Sequence, residues 1–282
     1  MNKLSKNIEM GIFELNVKNL GLMKDFYHLL VGLEIIEETN SSVILGFNQE
    51  KILKLTLNSS VRVPKQHEVG LYHSALAFSD RPLLAKTIQR ILINYPSSYS
   101  GSADHLVSEA FYFYDPEGNG LELYFDKDQE NWIWKDGHVL MDTLFLNVKE
   151  YLDEYSNPSP IGQIIKTGHI HLKVGSLEEA EKFYLEVLGF VKVSEFPGAI
   201  FISDGKYHHH LGINIWESKA ASRKDEETLG LKSFEIILEN KEDLLNLASR
   251  LVKADISYTL ENNILQLQDP WNNLIKFKIK SI

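Results

Sequence analysis

The chain has 282 residues, 44% of them hydrophobic and 24% charged, with a net charge of −10 and no cysteine. That length suffices for two domains with apolar cores. The acidic balance argues against nucleic acid or an anionic membrane as a partner, and the missing thiols exclude disulfides and thiolate metal sites. The first residues contain no signal-peptide pattern and nothing approaches the ~18 apolar residues of a membrane span, so a cytoplasmic protein is expected. Oligomeric state, homo-oligomer included, is left open.

The first predicted unit begins at Gly11 with GIFELNVKNLGLMKDFYHLLVGLEII: a strand, a helix carrying Phe26-Tyr27, and a stop at Gly32. A second begins at Gly70 with the strand GLYHSALAF and ends in DPEGNGLELYF from Asp115. Its Asp-Pro-Glu-Gly-Asn-Gly stretch is a turn by chemistry, because proline presets φ and Asn and Gly tolerate positive φ. Residues 127–165 lack this rhythm. Trp132 and Trp134 there are read as anchors of a surface segment or as cover for a cleft, and Asn157-Pro-Ser-Pro160 as a linker.

The third unit, GHIHLKVGSLEEAEKFYLEVLGFVKV from Gly168, aligns without a gap on the first: Gly11 meets Gly168, Phe26-Tyr27 meets Phe183-Tyr184, and Gly32 meets Gly189. Ile170, Leu172 and Val174 alternate with His169, His171 and Lys173, the period of a strand. Ser176 and Glu179 form a capping-box pattern for the helix that follows. The fourth unit opens with GLKSFEIIL at Gly230 and closes with DPWNNLIKFKI from Asp269, like the second. The charge run Arg223–Glu227 just before it reads as a solvated loop. The expectation is an α+β chain of four βαβββ modules in two tandem domains, 8–127 and 166–282, joined by a linker over 128–165.

The apolar face of each strand must pack under the helices, so the polar face lines a concave sheet surface. His73 shares that face with Ala75 and Ala77, Glu122 with Tyr124, and His169 with His171. His171 is read either as a pocket-lining group or as a polar side chain on a wet sheet. At the first-strand position the four modules carry Ile12, His73, His169 and Ser233. At the last-strand position modules two and four carry Glu122 and Lys276, while the last strands of modules one and three are not assigned. Modules two and three therefore retain two histidines and a carboxylate, a set that leaves metal positions open and favours iron(II), with manganese(II) or another divalent ion as the alternative. Taken singly, each is equally well a hydrogen-bonded strand histidine or a solvated carboxylate. All three at repeat positions favour a metal at His73, Glu122 and His169, which requires modules two and three to face each other.

With these modules the chain resembles the vicinal oxygen chelate superfamily, which includes glyoxalase I and the type I extradiol ring-cleavage dioxygenases, and is most similar to the catechol 2,3-dioxygenase group of bacilli. The stretch from His105 through Tyr112, Asp115-Pro116 and Gly118 to Glu122 is similar to the extradiol signature, with Ala103 as its departure. The resemblance implies that His105 and Tyr112 contact substrate and that Glu122 binds iron. Tyr207-His-His-His-Leu-Gly212 looks like the family's histidine-bearing strand; alignment on Leu-Gly makes His209 the best match for the acid/base, with His208 and His210, which share the opposite side of a strand, as alternatives. Many two-domain relatives hold iron in modules three and four, and this chain departs from that. The implied activity is metal-dependent extradiol cleavage of a catechol-type aromatic with O2. The alternatives are a glyoxalase-like lyase or isomerase, which calls for a second carboxylate ligand, and a non-catalytic aromatic-binding protein.

Overall fold

Each of the four repeats folds as strand, helix and three strands in the computed structural model, which describes residues 3–155, 163–224 and 228–280. Module one is β1 (Ile8–Val17), α1 (Leu20–Asp25), β2 (Glu34–Glu38), β3 (Ser42–Phe47) and β4 (Glu50–Leu57). Module two is β5 (Gly70–Phe78), α2 (Arg81–Asn94), β6 (Tyr99–Asp104), β7 (Ser108–Tyr114) and β8 (Gly120–Asp126). The segment without rhythm carries three two-residue strands, β9 (Trp134–Lys135), β10 (His138–Val139) and β11 (Leu144–Phe145), and the helix α3 (Val148–Tyr155). Module three is β12 (Ile165–Lys173), α4 (Leu177–Ala180), β13 (Val191–Phe196), β14 (Ala199–Ser203) and β15 (Leu211–Asn214). Module four is β16 (Gly230–Leu238), α5 (Lys241–Lys253), β17 (Thr259–Glu261), β18 (Ile264–Gln268) and β19 (Leu274–Ile279). The linker residues Asn157–Pro160 and the acidic part of the charge run, 225–227, lie outside the described residues.

Helices α1 and α4 both continue as π-helical turns, Phe26–Val31 and Glu181–Val187. Ser176 caps α4 by accepting from Glu179 N–H, as the capping pattern predicts. Gly32 and Gly189 turn the chain away at φ 97° and 89°, a region costly for any residue with a Cβ. Two strands of each module, its first and its last, lie side by side, in parallel for modules two, three and four. The nine-stranded sheet runs β11-β6-β7-β8-β5-β12-β15-β14-β13 and the eight-stranded sheet β17-β18-β19-β16-β1-β4-β3-β2. No helix among the described residues is long and apolar enough to cross a membrane.

The residues group into two compact units. One is drawn from Met1–Leu15, Val61–Tyr72 and His169–Ile282, the other from Asn16–Ser60 and His73–Gly168. The same two anchors recur in both. In the second unit, buried Tyr27 donates from its hydroxyl to Asp115 Oδ2 at 3.0 Å, and Arg90 donates to the carbonyls of Leu30 and Val31 at 2.6 and 3.0 Å. In the first unit, Tyr184 donates to Asp269 Oδ2 at 2.8 Å, and Arg250 donates to the carbonyls of Val187 and Leu188 at 3.0 and 2.8 Å. The arginines supply donors that the ends of the π-helical turns otherwise lack.

The carboxylates are the deeper constraint. Asp115 accepts from Glu117 and Asn119 N–H through Oδ1 and from Asn119 Nδ2 through Oδ2, closing the turn that leads into β8. Burial raises its pKa from 3.8 to about 6 against the pull of these donors. The folded chain therefore holds this proton more tightly than the unfolded one, so stability falls as pH rises from 3.8 to about 6 and is then level with respect to this group. Tyr27→Phe removes a donor from the ionised carboxylate. We expect a loss of roughly 1–3 kcal/mol near pH 7 and a smaller loss near pH 5, read from urea unfolding at the two pH values. An equal loss at both would show that the hydroxyl does not serve the carboxylate.

Candidate metal centre

His73 lies on β5, and its face continues through Ala75 and Ala77. The parallel register sets Ala75 beside Glu122 and Ala77 beside Tyr124, and the antiparallel register of β7 sets Tyr112 beside Glu122 and Ala110 beside Tyr124. Cross-strand partners share a face. Ala75, Ala77, Ala110 and Tyr124 accordingly form a buried cluster with Tyr112 packed against it. This apolar bed removes water from the far side of two ionisable groups, His73 and Glu122, which are 6% and 3% exposed. His73 Nε2 stands 3.0 Å from Glu122 Oε2.

His169 is buried on β12, directly after Gly168. His73, Glu122 and His169 each offer one ligand atom, and these atoms lie within 4.8 Å of one another, a candidate metal site. Two donors at right angles around an ion, each at ~2.1 Å, stand ~3 Å apart. The His73–Glu122 separation fits that spacing. Two neutral imidazoles and one carboxylate suit a divalent transition-metal ion.

Gly168 sets the approach of β12. A Cβ there would fall 2.0 Å from Tyr124 Oη and 2.5 Å from Cε1 of the same ring. Tyr124 is fully buried, so its ring has nowhere to retreat. Two residues beyond His169, His171 is 3% exposed. Its Nε2 lies 2.9 Å from Asn214 Nδ2, and its ring packs on Tyr72, Phe201 and Trp216. The wet-sheet reading of His171 is therefore corrected: aromatic neighbours exclude solvent from it.

The register also identifies the counterpart of Glu122 in module three. Ala75, two residues after His73, pairs with Glu122; His171, two residues after His169, pairs with Gly212. A Cβ at Gly212 would meet the His171 ring at 2.8 Å. The place of a second carboxylate thus holds a glycine covered by imidazole.

The three consecutive histidines precede β15 as irregular chain, with His208 and His210 both against the Tyr207 ring and His209 against that of Phe201. All three are buried. His208 and His209 both approach His169, with ring centroids 6.2 and 4.1 Å away, and their Nδ1 atoms are 2.7 Å apart. The Tyr207 ring lies against both His208 and His210, at 4.2 and 5.0 Å between centroids. His105 and Tyr112 come together at 2.6 Å between Nε2 and Oη, and the Tyr112 ring lies 5.7 Å from that of His73. Trp132 is buried with its Nε1 donating to the Lys127 carbonyl, which anchors the segment after β8. Trp134 lies on β9, paired with β10.

In module four the counterparts of His73 and Glu122 are Ser233 and Lys276. Both turn to Glu14, at 3.4 Å from Ser233 Oγ and 3.7 Å from Lys276 Nζ, while Lys232 Nζ lies 3.0 Å from the other Glu14 oxygen. Glu14 was missed in the sequence, although it aligns on His171 when Gly11 is set on Gly168.

Residues 166–277 match the family described as the Glyoxalase/Bleomycin resistance protein/Dioxygenase superfamily. The chain is 33% identical over 279 residues to the Catechol-2,3-dioxygenase of Bacillus subtilis (strain 168), with 96% of each chain covered. The chain belongs to this superfamily. Solved structures share the superfamily fold at low identity. A protein of Bacillus subtilis subsp. subtilis str. 168 matches with a TM-score of 0.67 and 15% identity, over 100% of this chain and 87% of that one. A glyoxalase I mutant from Zea mays matches with a TM-score of 0.60 and 13% identity, over 96% and 94%.

Gly168→Ala tests how this superfamily member positions His169. Overpacking against Tyr124 should cost roughly 1–3 kcal/mol. Gly168→Ala combined with Tyr124→Phe, which removes the nearest atom, should recover part of it in thermal unfolding. A fully stable Gly168→Ala would show that the strand is free to shift.

Proposed function

We propose that this chain is an extradiol ring-cleavage dioxygenase that opens a catechol-type aromatic with O2, using iron(II) held by His73, Glu122 and His169. The observation that carries the reading is the convergence of two buried imidazoles and one buried carboxylate, with no second carboxylate at the Gly212 position. Three protein ligands leave room for the two adjacent oxygens of a catechol and for O2. A bound divalent ion would acidify the catechol hydroxyl and bring the reactants together. The name of the Bacillus subtilis relative supports the substrate class.

The side chains divide the remaining work. Tyr112, beside Glu122 in register, meets a substrate oxygen, and His105 backs it. His209, whose ring lies tilted against that of His169, takes up and returns a proton, and His208 holds its Nδ1. Ala75, Ala77 and Tyr124 keep water from the far side of the ligands, which strengthens electrostatic contacts at the centre. The glyoxalase-like alternative lacks its second carboxylate, because Gly212 occupies the register position that would supply it.

His73→Ala, Glu122→Ala and His169→Ala should each abolish stoichiometric metal in anaerobically purified protein, whereas Ser233→Ala should retain it. Metal retained by any one of the three removes that residue from the site. His209→Ala should keep the metal and bind catechol while turnover falls on the order of 10²–10⁴-fold, the usual weight of an acid/base. The direct assay is the addition of catechol in air to iron-loaded protein. A yellow ring-opened product is expected, and a metal-loaded protein that leaves catechol intact would overturn the reading.

A further inference from the structure

Residues 142–146 lie outside the four modules, yet they hold one of the site groups. The Asp142 carbonyl is 2.7 Å from His105 Nδ1, and Asp142 N–H faces the His105 carbonyl at 3.4 Å. The segment is fastened beyond that point. Leu144 and Phe145 pair with Asp104 and Ala103 as the edge strand β11 on β6, and Ser102 Oγ donates to the Leu146 carbonyl at 2.7 Å. Thr143 N–H donates to Asp142 Oδ1 at 2.7 Å.

His105 is held from its own side as well. Leu106 adopts φ 69°, its N–H donating to Asp104 Oδ1 at 2.8 Å, and Lys127 Nζ grips both Asp104 oxygens at 2.7 Å. His105 N–H donates to the Ser108 carbonyl at 2.8 Å. Both partners of the Asp142–His105 contact are thus tied to the sheet.

A carbonyl oxygen only accepts, so Nδ1 must carry the hydrogen. In the neutral ring Nε2 is then bare and can only accept. At 2.6 Å its partner is the Tyr112 hydroxyl, which has one proton to give. We propose that residues 142–146 are a positioning element: the Asp142 carbonyl fixes His105 as the Nδ1–H tautomer, which commits the Tyr112 proton to His105. Toward a bound ligand Tyr112 then presents lone pairs, and the ligand group that meets it must be a hydrogen-bond donor. Resting on the dioxygenase reading, this selects a catechol that still carries a hydroxyl proton there, over chelators whose groups are acceptors alone.

The tautomer is read without any turnover. The full-length chain is labelled with ¹⁵N-histidine, loaded with zinc(II) as a diamagnetic ion, and His105 is assigned by its loss in His105→Gln. Proton–nitrogen correlation should show Nδ1 protonated and Nε2 bare, and the same in Tyr112→Phe, because Asp142 and not Tyr112 sets the tautomer. A proton on Nε2 in either protein overturns the proposal. Calorimetry on the same zinc-loaded protein tests the consequence. Tyr112→Phe should weaken catechol binding about tenfold, the weight of one hydrogen bond, and leave oxalate as tight or tighter. Equal weakening of both ligands would overturn the acceptor role. A wild-type chain with the expected tautomer and no affinity for catechol counts against the dioxygenase reading and not against the fixed tautomer.

Discussion

A carboxylate buried at a tight turn is the constraint on which much of this fold depends. Asp115 has given up water, and the cost of desolvating a charge is offset only if every lone pair finds a donor. Two backbone N–H groups and the Asn119 amide come from the turn itself, but Tyr27 comes from a helix of the preceding module. The carboxylate's set of donors is therefore completed from outside its own module. Since β8 starts immediately afterwards, the position of Glu122 in the sheet is tied to a tyrosine far from it in sequence.

Two chemistries occupy equivalent positions of the repeat. In module two they are His73 and Glu122, over a bed of alanines and an aromatic ring. In module four they are Ser233 and Lys276, and buried Glu14 draws both toward it together with Lys232. The physical demand is the same in each: a carboxylate deep on a sheet face needs positive charge nearby. Ammonium groups on long side chains answer it in one case, and the donor set suited to a divalent ion answers it in the other. A few strand residues distinguish an ion-pair cluster from a candidate metal centre at equivalent positions of a shared scaffold.

Much of this was legible in the residues because strands repeat with period two and the modules repeat with it. The strand–helix–three-strand order followed from aligning Gly11 on Gly168 and Gly70 on Gly230. The gathering of His73, Glu122 and His169 followed from reading which positions share a face. What escaped reading depends on pairing across the sheet or on irregular chain. The last strands of modules one and three, β4 and β15, lack a turn motif to mark them. That Gly212 answers Glu122 is visible only once β12 and β15 are in register. The run 208–210 looked like strand because it abuts Leu-Gly, but the strand begins only at Leu211. The Asp142 contact is made by a backbone carbonyl, which no residue type announces.

The anchors also bear on how such a chain could arise. Tyr27 and its carboxylate lie in successive modules, as do Tyr184 and Asp269, and Arg90 and Arg250 likewise reach back to the helix of the module before their own. A single module copied alone would bury an aspartate without its phenol and leave a helix end without its guanidinium. The smallest segment that carries its own solutions to both problems is a pair of modules. Duplication of such a pair keeps both contacts intact in each copy.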